Sequence, residues 1–431
     1  MREDWVEVEL GNIFHTTSGG TPSRRNNDYY KGSIPWVKSG ELDKGVVFDT
    51  EEKISEEAIK NSSAKIFPKG TLLIALYGAT IGKLAFLGVD AATNQAICGI
   101  YHNDNIDSKF LYYFLLFRRP KLISQGTGGA QPNISQTILK KLEFPFPSRP
   151  EQRSIVLKIE NLFASLDKGI ADLKTAHEQL KVYRQAVLKK AFEGEFTNRD
   201  VKEGELPECW KWVKLGEVFY TSSGGTPSRR NDNYYRGTIP WVKSGELDKG
   251  KILDTEENIS EDAIKNSSAK VFPKGTLLIA MYGATIGKLS FLGVDAATNQ
   301  AICGIYENEN IVSNFLYYFL LFRKPKLISQ GSGGAQPNIS QTILKKLEIP
   351  FPPKQEQHAV VREIESRLSV CDKVEQNINE ALEKADALRQ SILKKAFEGK
   401  LLSEEEIAKC KQEADYEPAS ELLKKIKAEK K

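Results

Sequence analysis

The chain has 431 residues, of which 40% are hydrophobic and 27% are charged, and its formal net charge is +4. This length predicts two or three domains, and the absence of any run of about 18 apolar residues excludes a transmembrane helix. The five cysteines show no CxxC spacing and no signal peptide is apparent, so we expect reduced thiols in a cytoplasmic protein without a zinc motif.

The chain consists of one unit written twice at an offset of 205 residues. Residues 16–152 and 221–357 align without a gap and differ at 23 of 137 positions. Each of these globular blocks leads into a proline-free helical stretch, 151–194 or 356–399, and these stretches agree at 18 of 44 positions. A repeat of this kind predicts two copies of one domain, so a ligand that binds the first block should also bind the second.

Each copy opens with a short strand-like run, 5–10 or 212–215, and continues into a glycine-rich loop that extends from Ser18 to Tyr30 in the first copy. The glycines and Pro22 predict a turn-rich loop. Its polar side chains are of the types that meet phosphates and base edges in DNA. An equally good interpretation is an ordinary surface loop whose tyrosines pack inward.

The next elements are predicted from hydrophobic runs and turn residues. We expect a short strand at 33–40 with Trp36 in the core, a short helix at 54–61 and a buried strand at 70–76. Further strands are expected at 85–89 and 95–101, joined by the connection 90–94, in which Asn94 favours a turn over adenine pairing.

The segment from Tyr77 to Leu84 resembles a phosphate-binding loop but departs from its pattern. Three residues separate the glycines instead of four, and Leu84 occupies the position of the magnesium-binding Ser or Thr. We therefore predict a hairpin turn, with Lys83 near a DNA phosphate.

An aromatic helix is expected at 108–117, with Arg118 and Arg119 at its C-terminal end, where cations suit the helix dipole. The loop 125–135 is rich in glycine and enters a short helix, and free N–H groups at such an entry favour anions. Residues 142–147 are a proline-fixed connection to the long helical stretch.

The two long stretches carry apolar residues at alternating spacings of three and four, which is the pattern of a coiled-coil seam. A helix of this length spans roughly 60 Å and is predicted to bury its stripe against the other copy. The alternative is two independent amphipathic helices on separate domains. The seam residues are Ile155, Ile159, Leu162, Leu166, Ile170, Leu173, Leu180 and Val187 in the first copy, and Val360, Ile364, Leu368, Cys371, Ile378, Leu382, Leu388 and Ile392 in the second.

Residues 401–431 form a charged tail for which we expect one or two short helices, the first of which begins at Ser403. Catalytic motifs are not apparent. None of the four histidines recurs between the copies or has a spaced metal partner, and no G-x-S-x-G elbow occurs. These observations favour a protein that binds and does not catalyse.

The set of motifs, in order and twice, resembles the specificity subunits of type I restriction–modification systems. The motifs in the first copy are Gly20-Thr-Pro-Ser, Ile34-Pro-Trp-Val, Gly78-Ala-Thr-Ile-Gly82, Gln131-Pro-Asn-Ile-Ser135, Pro145-Phe-Pro before Glu151-Gln152, and Leu188-Lys-Lys-Ala-Phe-Glu-Gly194. The tail adds Glu417-Pro-Ala-Ser-Glu-Leu-Leu423.

This resemblance implies an α+β fold: two mixed α/β target-recognition domains separated by two long antiparallel helices, with a pseudo-two-fold internal repeat. The implied segments are recognition domains at 1–150 and 210–355, long helices at 151–197 and 356–400, a linker at 198–209 and the tail at 401–431. It also implies double-stranded DNA as ligand and no cofactor on this chain. Methyltransferase subunits with S-adenosylmethionine would bind along the long helices, and motor-nuclease subunits would carry ATP and magnesium.

The two recognition domains of a family member usually differ in sequence, whereas these two are nearly identical. Equal readers under a two-fold axis predict an inverted repeat whose halves lie one to two turns apart around an unread spacer. Asn27-Asp28 becomes Asp232-Asn233 in the second copy, so one base could differ between the halves.

We expect DNA contacts from eight residues of each block. They are Thr21, Ser23, Arg24, Arg25, Asn26, Lys38, Lys83 and Gln131, with Thr226, Ser228, Arg229, Arg230, Asn231, Lys243, Lys288 and Gln336. Three other functions remain open: a stand-alone DNA-binding regulator, a nucleotide hydrolase built on Gly78–Lys83, and a carbohydrate-binding repeat that uses Trp36 and the tyrosines.

Overall fold

Each copy of the repeat folds into two small β-sheets and a two-stranded ribbon. The computed structural model describes residues 2–126, 133–198, 200–202, 205–248, 250–330 and 338–429. The chain divides into unit 1, Met1–Leu173 with Glu380–Lys431, and unit 2, Lys174–Asn379. Each unit therefore holds one block and a part of each long helix.

The first block and the helix after it contain eleven strands and five α-helices. In chain order they are β1 (Val6–Glu9), α1 (Leu10–Ile13), β2 (Thr16–Ser18), β3 (Ile34–Val37), β4 (Gly45–Val47), β5 (Glu52–Ile54), α2 (Glu56–Lys60), β6 (Ile66–Phe67), β7 (Leu72–Ala75), β8 (Leu84–Leu87), β9 (Ala91–Thr93), β10 (Ile97–Ile100), α3 (Ser108–Ser124), α4 (Gln136–Lys140), β11 (Glu143–Phe146) and α5 (Arg149–Phe192).

The second block repeats this order and is followed by the tail helices. The elements are β12 (Lys211–Lys214), α6 (Leu215–Val218), β13 (Thr221–Ser223), β14 (Ile239–Val242), β15 (Gly250–Ile252), β16 (Asn258–Ile259), α7 (Glu261–Lys265), β17 (Val271–Phe272), β18 (Leu277–Ala280), β19 (Leu289–Leu292), β20 (Ala296–Thr298), β21 (Ile302–Ile305), α8 (Ser313–Gln330), α9 (Gln341–Lys345), β22 (Glu348–Phe351), α10 (Lys354–Phe397), α11 (Glu404–Cys410) and α12 (Ala419–Glu429).

The sheets of the first block have the orders β2-β10-β7-β8-β4 and β5-β3-β9-β6, and β1 pairs with β11 in the ribbon. The pairs β3–β9 and β4–β8 are parallel, and the other pairs are antiparallel. The second block has the same strand orders. All four residues of β7 are buried, as the apolar run at 70–76 predicted, and Trp36 lies in the core.

The hairpin turn predicted after β7 is confirmed. β7 and β8 are antiparallel neighbours, and the turn between them places Gly78 at φ 62° and Gly82 at φ 73°. L-residues with a side chain rarely adopt these angles, so the turn requires glycine at both positions.

Two local predictions are wrong. Residues 91–93 form strand β9, not a connection, because the small buried Ala91 and Ala92 fit between β3 and β6. The aromatic helix does not end at Arg119. Helix α3 continues through Pro120 to Ser124, and the burial of Leu122 outweighs the backbone hydrogen bond that the proline removes.

The long helices run antiparallel inside each unit. In unit 1 the buried residues Ile155 and Ile159 of α5 share a core with Ile392 and Ala396 of α10. In unit 2 the Arg184 guanidinium lies 2.7 Å from the Asp372 carboxylate, and further back along α5 His177 Nε2 lies 3.2 Å from Glu375. The predicted packing of the two helices against each other is confirmed in this sense.

Two of the predicted seam positions are wrong. Leu162 is 37% exposed and Leu388 is 49% exposed. Their neighbours Phe163 and Arg389 take the inward positions, with the Arg389 guanidinium 5.1 Å from the Phe163 ring centre. A spacing of three or four allows either neighbour, and the larger aromatic ring occupies the buried side.

Both long helices end with a phenylalanine that enters the aromatic core of a block. The Phe397 ring centre lies 5.2 Å from that of Phe110 and 5.5 Å from that of Phe114 in unit 1. In unit 2 the Phe192 ring centre lies 5.2 Å from those of Phe315 and Phe319. The shared motif Leu-Lys-Lys-Ala-Phe-Glu-Gly therefore completes the core of each unit.

The tail contains the two helices that the charge pattern predicted. The Ser403 hydroxyl accepts from the backbone N–H of Glu406 and the Glu406 carboxylate accepts from that of Ser403, which is a capping box. Lys158 of α5 lies 2.6 Å from the Glu406 carboxylate. No helix within the described ranges is long and apolar enough to cross a membrane.

We predict that Phe397→Ala lowers the free energy of unfolding by about 3–5 kcal/mol, because it removes a buried ring and leaves a cavity among Phe110, Phe114 and Phe117. Denaturant titration of the full chain, followed by circular dichroism, measures the loss. Leu388→Ala on the same helix is the matched control and should change the free energy by less than about 0.5 kcal/mol, since its side chain is half exposed. Equal effects of the two substitutions would contradict the proposed role of Phe397.

Candidate nucleic-acid interface

The loop between β2 and β3 is held against the four-stranded sheet by close backbone packing. A Cβ atom at Gly19 would lie 2.0 Å from Thr93 Oγ1, and one at Gly20 would lie 2.3 Å from the Ser63 carbonyl carbon. Neither glycine has a positive φ. Close approach, and not turn freedom, therefore requires glycine here, and it fixes where the following polar residues begin.

Arg24 is held by a group of side chains from the loop, β3 and β5. Its guanidinium carbon lies 4.1 Å from the Tyr30 ring centre and 5.3 Å from that of Trp36. Its Nη1 lies 2.7 Å from the Glu52 carboxylate. The Tyr30 hydroxyl donates to the Pro22 carbonyl oxygen at 2.6 Å, which fixes the ring on which Arg24 stacks. A stacked and paired arginine of this kind has its fork orientation set in advance.

Lys38 joins the same group from the end of β3. Its Nζ lies 2.7 Å from the Glu51 carboxylate and 3.2 Å from that of Glu52. The buried Glu41 positions both sides of this contact, because its carboxylate accepts from the backbone N–H groups of Lys38 and Glu51. We call Arg24, Tyr30, Trp36, Lys38, Glu51 and Glu52 the Arg24 cluster.

The charges of the Arg24 cluster shift one another's protonation. The hydrogen bond from Arg24, followed by that from Lys38, lowers the pKa of the Glu52 carboxyl below its usual 4.5. The hydrogen bond to Glu51, with that to Glu52, raises the pKa of Lys38. Arg24, Lys38 and the Glu52 carboxylate therefore stay ionised together near neutral pH, and an anion that approaches either cation competes with a carboxylate.

The remaining loop residues lie beside this cluster. Ser23 and Arg25 are exposed, and Thr21 and Asn26 are half buried. The Asn26 side chain accepts from the backbone N–H of Asp28 at 3.1 Å and caps the short turn that holds Tyr29 and Tyr30. Within the described residues no ion pair involves the Arg25 guanidinium, so this side chain can extend to a ligand.

The turn after β7 lies next to the second glycine-rich loop. Tyr77 forms an isolated β-bridge with Asn133, and the Ile134 backbone N–H donates to the Leu76 carbonyl oxygen at 2.8 Å. Lys83, which follows the turn, pairs with Asp43 at 2.5 Å. Gln131 and Gln336 lie outside the described residues.

The structure thus brings the predicted residues together in two groups. Arg24 and Lys38 meet at Glu52, and the other loop residues precede or follow Arg24 in the chain, whereas Lys83 pairs with an aspartate five residues beyond Lys38. The interpretation with inward-packed tyrosines is confirmed for Tyr29 and Tyr30, which are partly buried against the Trp36 core. The loop therefore has a structural role as well as a polar surface.

The second block reproduces this geometry. The Arg229 guanidinium lies 4.0 Å from the Tyr235 ring centre and 2.7 Å from the Glu257 carboxylate. Lys243 Nζ lies 2.7 Å from Glu256 and 3.2 Å from Glu257. Lys288 lies 3.1 Å from Asp248. Ser228 and Arg230 are exposed and Asn231 is half buried, as are their counterparts, and Thr226 differs in that it donates to Gln300.

The carboxylates that hold the basic residues were missed by sequence analysis, as was the exposed Tyr77. Glu52 follows Arg24 by 28 positions, so no local spacing connects them. One available signal was that Glu51 and Glu52 recur unchanged as Glu256 and Glu257, although a neighbouring position differs between the copies, Lys53 against Asn258.

Residues 2–174 and 207–384 each match the family model described as the type I restriction modification DNA specificity domain. The chain is 26% identical over 379 residues to the MjaIX specificity subunit of Methanocaldococcus jannaschii, across 84% of this chain and 86% of that protein. It is 25% identical over 467 residues to the EcoBI specificity subunit of Escherichia coli, across 100% of this chain and 93% of that protein.

Two solved structures share the fold. One is a chain from work on complex assembly and conformational transition of the type I R-M system, with a TM-score of 0.73 and 20% identity, across 93% of this chain and 99% of that chain. The other is the HsdS subunit of Thermoanaerobacter tengcongensis, with a TM-score of 0.61 and 20% identity, across 93% and 98%.

We predict that Glu52→Gln lowers the free energy of unfolding by about 1 kcal/mol at pH 7, because it removes the charge that holds Arg24 and Lys38 at a partly exposed site. The folded-state pKa of Glu52 is depressed, so its contribution is complete above its unfolded pKa near 4.5 and disappears as pH falls through the folded value. Urea unfolding of wild type and variant at pH 7, 5 and 3 should give curves that converge at the lowest pH. Glu7→Gln, on an exposed strand position, should leave the difference near zero throughout, and a gap between wild type and Glu52→Gln that persists at pH 3 would contradict the assignment.

Proposed function

Because this chain belongs to the family of type I restriction–modification DNA specificity domains, we propose that it reads a bipartite DNA target whose two halves are near-identical and inverted. Reading DNA sequence is the function that the family name gives, and the finer proposal concerns the form of the target. Family members on which it rests span nearly the full chain.

The observation that carries the proposal is the duplication of a complete polar surface. The Arg24 cluster and its counterpart around Arg229 agree in residue type, in partners and in distances to within 0.1 Å for the ion pairs. Two surfaces with the same donors and acceptors read the same base edges. Inside each unit α5 and α10 run antiparallel, which supports inverted half-sites over directly repeated ones. Equal recognition surfaces attached to antiparallel helices would read opposite strands of the DNA.

Within each surface we assign separate roles to the two arginines. Arg24 is stacked and paired, so it suits a fixed contact to a phosphate that displaces Glu52. Arg25 is exposed and extends from the same loop, so it suits a bidentate contact to guanine. Lys38 and Lys83 hold carboxylate partners that DNA phosphates can replace, and Asn26 and Gln131 remain proposed contacts to adenine.

We propose that the chain recognises DNA and that partner subunits catalyse the reactions. No cluster of three or more His, Cys, Asp or Glu side chains that could hold a metal occurs within the described ranges. Partner methyltransferase subunits are proposed to bind along α5 and α10, which expose the apolar residues Val182, Tyr183, Val370 and Val374 in unit 2. Motor-nuclease subunits would join through them.

We predict that mapping of modified bases in cells that carry the complete system finds an inverted bipartite motif. Arg25→Ala should relax the sequence requirement in one half and Arg230→Ala in the other, each with a loss of about 1–3 kcal/mol in binding measured at fixed salt, because each removes one bidentate base contact. Lys31→Ala is the matched control, since this exposed lysine follows the same loop and pairs with Asp28. Two unrelated half-sites in the wild-type map would contradict the inverted repeat while leaving DNA reading intact.

We predict that Val182→Asp prevents assembly with the methyltransferase subunits, because it places a charge in an apolar contact. Its side chain is 70% exposed, so the chain itself should unfold at an unchanged temperature. Size-exclusion chromatography with light scattering of the co-expressed subunits measures assembly. Lys181→Ser, one position away and exposed, serves as the control and should assemble normally. A wild-type chain that binds DNA alone and no methyltransferase would support a stand-alone regulator instead.

A further inference from the structure

The tail helix α12 covers part of the first block, and the second block has no counterpart to it in the described residues. Helix α12 packs against α1, and Ala419, Leu422, Leu423 and Ile426 are buried in the core of unit 1. Their spacing of three, one and three places them on a single face of the helix. The other face of α12 carries lysines and glutamates.

Burial of matched residues differs between the two ribbons. Val8 of β1 and Phe146 of β11 are buried in unit 1, whereas the corresponding Val213 and Phe351 of unit 2 are half buried. These two residue types are the same and the strands pair in the same register, so the difference lies in what covers them: the tail packs into the core of unit 1, and Lys211 replaces Val6 beside Phe351. The half-buried surface of Val213, Phe351 and the neighbouring Val218 is the block 2 equivalent of the seat of α12. We call it the ribbon face.

The chain's own tail is fixed to unit 1 by contacts that do not recur among the described residues of unit 2. Arg153 of α5 lies 2.6 Å from Asp415 and 2.5 Å from Glu413, and Lys158 pairs with Glu406 of α11. The positions of Arg153 and Lys158 are His358 and Glu363 in α10. The tail carboxylates therefore pair with cations on α5. At the position of Lys158, α10 carries Glu363, which would repel them, so the charges favour binding of the tail to unit 1.

The ribbon face differs from the seat of α12 in charge. Strand β1 reads Val-Glu-Val-Glu, whereas β12 reads Lys-Trp-Val-Lys. Lys211 replaces Val6, lies two residues from Val213 and so shares its face of the strand. Its Nζ lies 5.6 Å from the Phe351 ring centre. The ribbon face thus combines apolar contacts with a cation beside them.

We propose that the ribbon face is a docking site for an amphipathic helix of a partner protein that carries carboxylates beside its apolar stripe. The ribbon face is the repeat counterpart of the surface that α12 covers in unit 1. This equivalence indicates a helix of about three turns with apolar residues at positions i, i+3, i+4 and i+7. Lys211 selects acidic residues at the edge of that stripe. This site lies on the ribbon, apart from the Arg24 cluster and its counterpart, and does not depend on which DNA sequence is read.

The test titrates the full-length protein with two labelled peptides of the sequence 417–429, each held helical by a staple on its polar face. One is native and the other carries Lys424→Glu, Lys425→Glu and Lys427→Glu. We expect the acidic peptide to bind with a stoichiometry of one and about fivefold more tightly than the native peptide, as a few surface charge pairs would give. Fluorescence anisotropy at low and high salt measures both affinities.

Two variants locate the binding. Val213→Asp should abolish binding of the acidic peptide, and Lys211→Glu should remove its advantage over the native one without touching a buried residue. Lys265→Glu, an exposed lysine of α7 in the same block, is the matched charge control and should change neither affinity. Tighter binding of the native peptide would identify the tail of a second copy as the occupant and overturn the partner helix, and so would binding of neither peptide or binding indifferent to Lys211→Glu.

Discussion

Each unit is completed by the end of a long helix whose first residues belong to the other unit. Phe397 fills the aromatic core around Phe110 and Phe114, and Phe192 fills the same place around Phe315 and Phe319. Unit 1 therefore needs residues from the far end of the chain to form its full core, whereas unit 2 is the contiguous segment Lys174–Asn379. This constraint makes the long helices part of both folded units, and it explains why the helices can differ at most positions and still end in the same seven residues. A polar residue at either phenylalanine would open the core of a block as well as detach a helix end.

The polar side chains on the surface are held in fixed positions as well. Close packing of Gly19 and Gly20 against neighbouring backbone leaves the loop no room to shift, and the Tyr30 ring and Glu52 then hold Arg24 in one orientation. Arg24 and Lys38, two of the side chains proposed to contact DNA, are thus held before DNA arrives, which lowers the entropy lost on binding. A DNA phosphate that reached Arg24 or Lys38 would displace a carboxylate, so we expect the net gain in binding free energy per contact to be small.

Much of the fold could be predicted from the sequence because its signals are local or repeated. The buried run at 70–76, the hairpin glycines Gly78 and Gly82, and the capping pattern at Ser403 each depend on residues within a few positions of one another. Strand β9 and the continuation of α3 past Pro120 could not be predicted, because burial between distant strands and around Leu122 decides them. The same holds for the site: the basic residues were identifiable by type, but Glu52 and Glu41, which orient them, are joined to them only by the fold.

The Glu-Gln pair at the start of each long helix has the same sequence in both units but different hydrogen-bond partners. The Gln152 and Gln357 side chains make the same contacts, accepting from the backbone N–H of residue 107 or 312 and donating to the carbonyl oxygen of Pro147 or Pro352. The adjacent glutamates differ. Glu151 accepts from Arg2 and Ser148, whereas Glu356 accepts from Thr197 and Asn198. The linker thus does in unit 2 what the N-terminal segment does in unit 1. Near-identical blocks therefore acquire different borders. Helix α12 lies at one of those borders, and the ribbon face is its unmatched counterpart. The Arg24 cluster and its counterpart around Arg229 can therefore stay the same while the surfaces at these borders differ in charge.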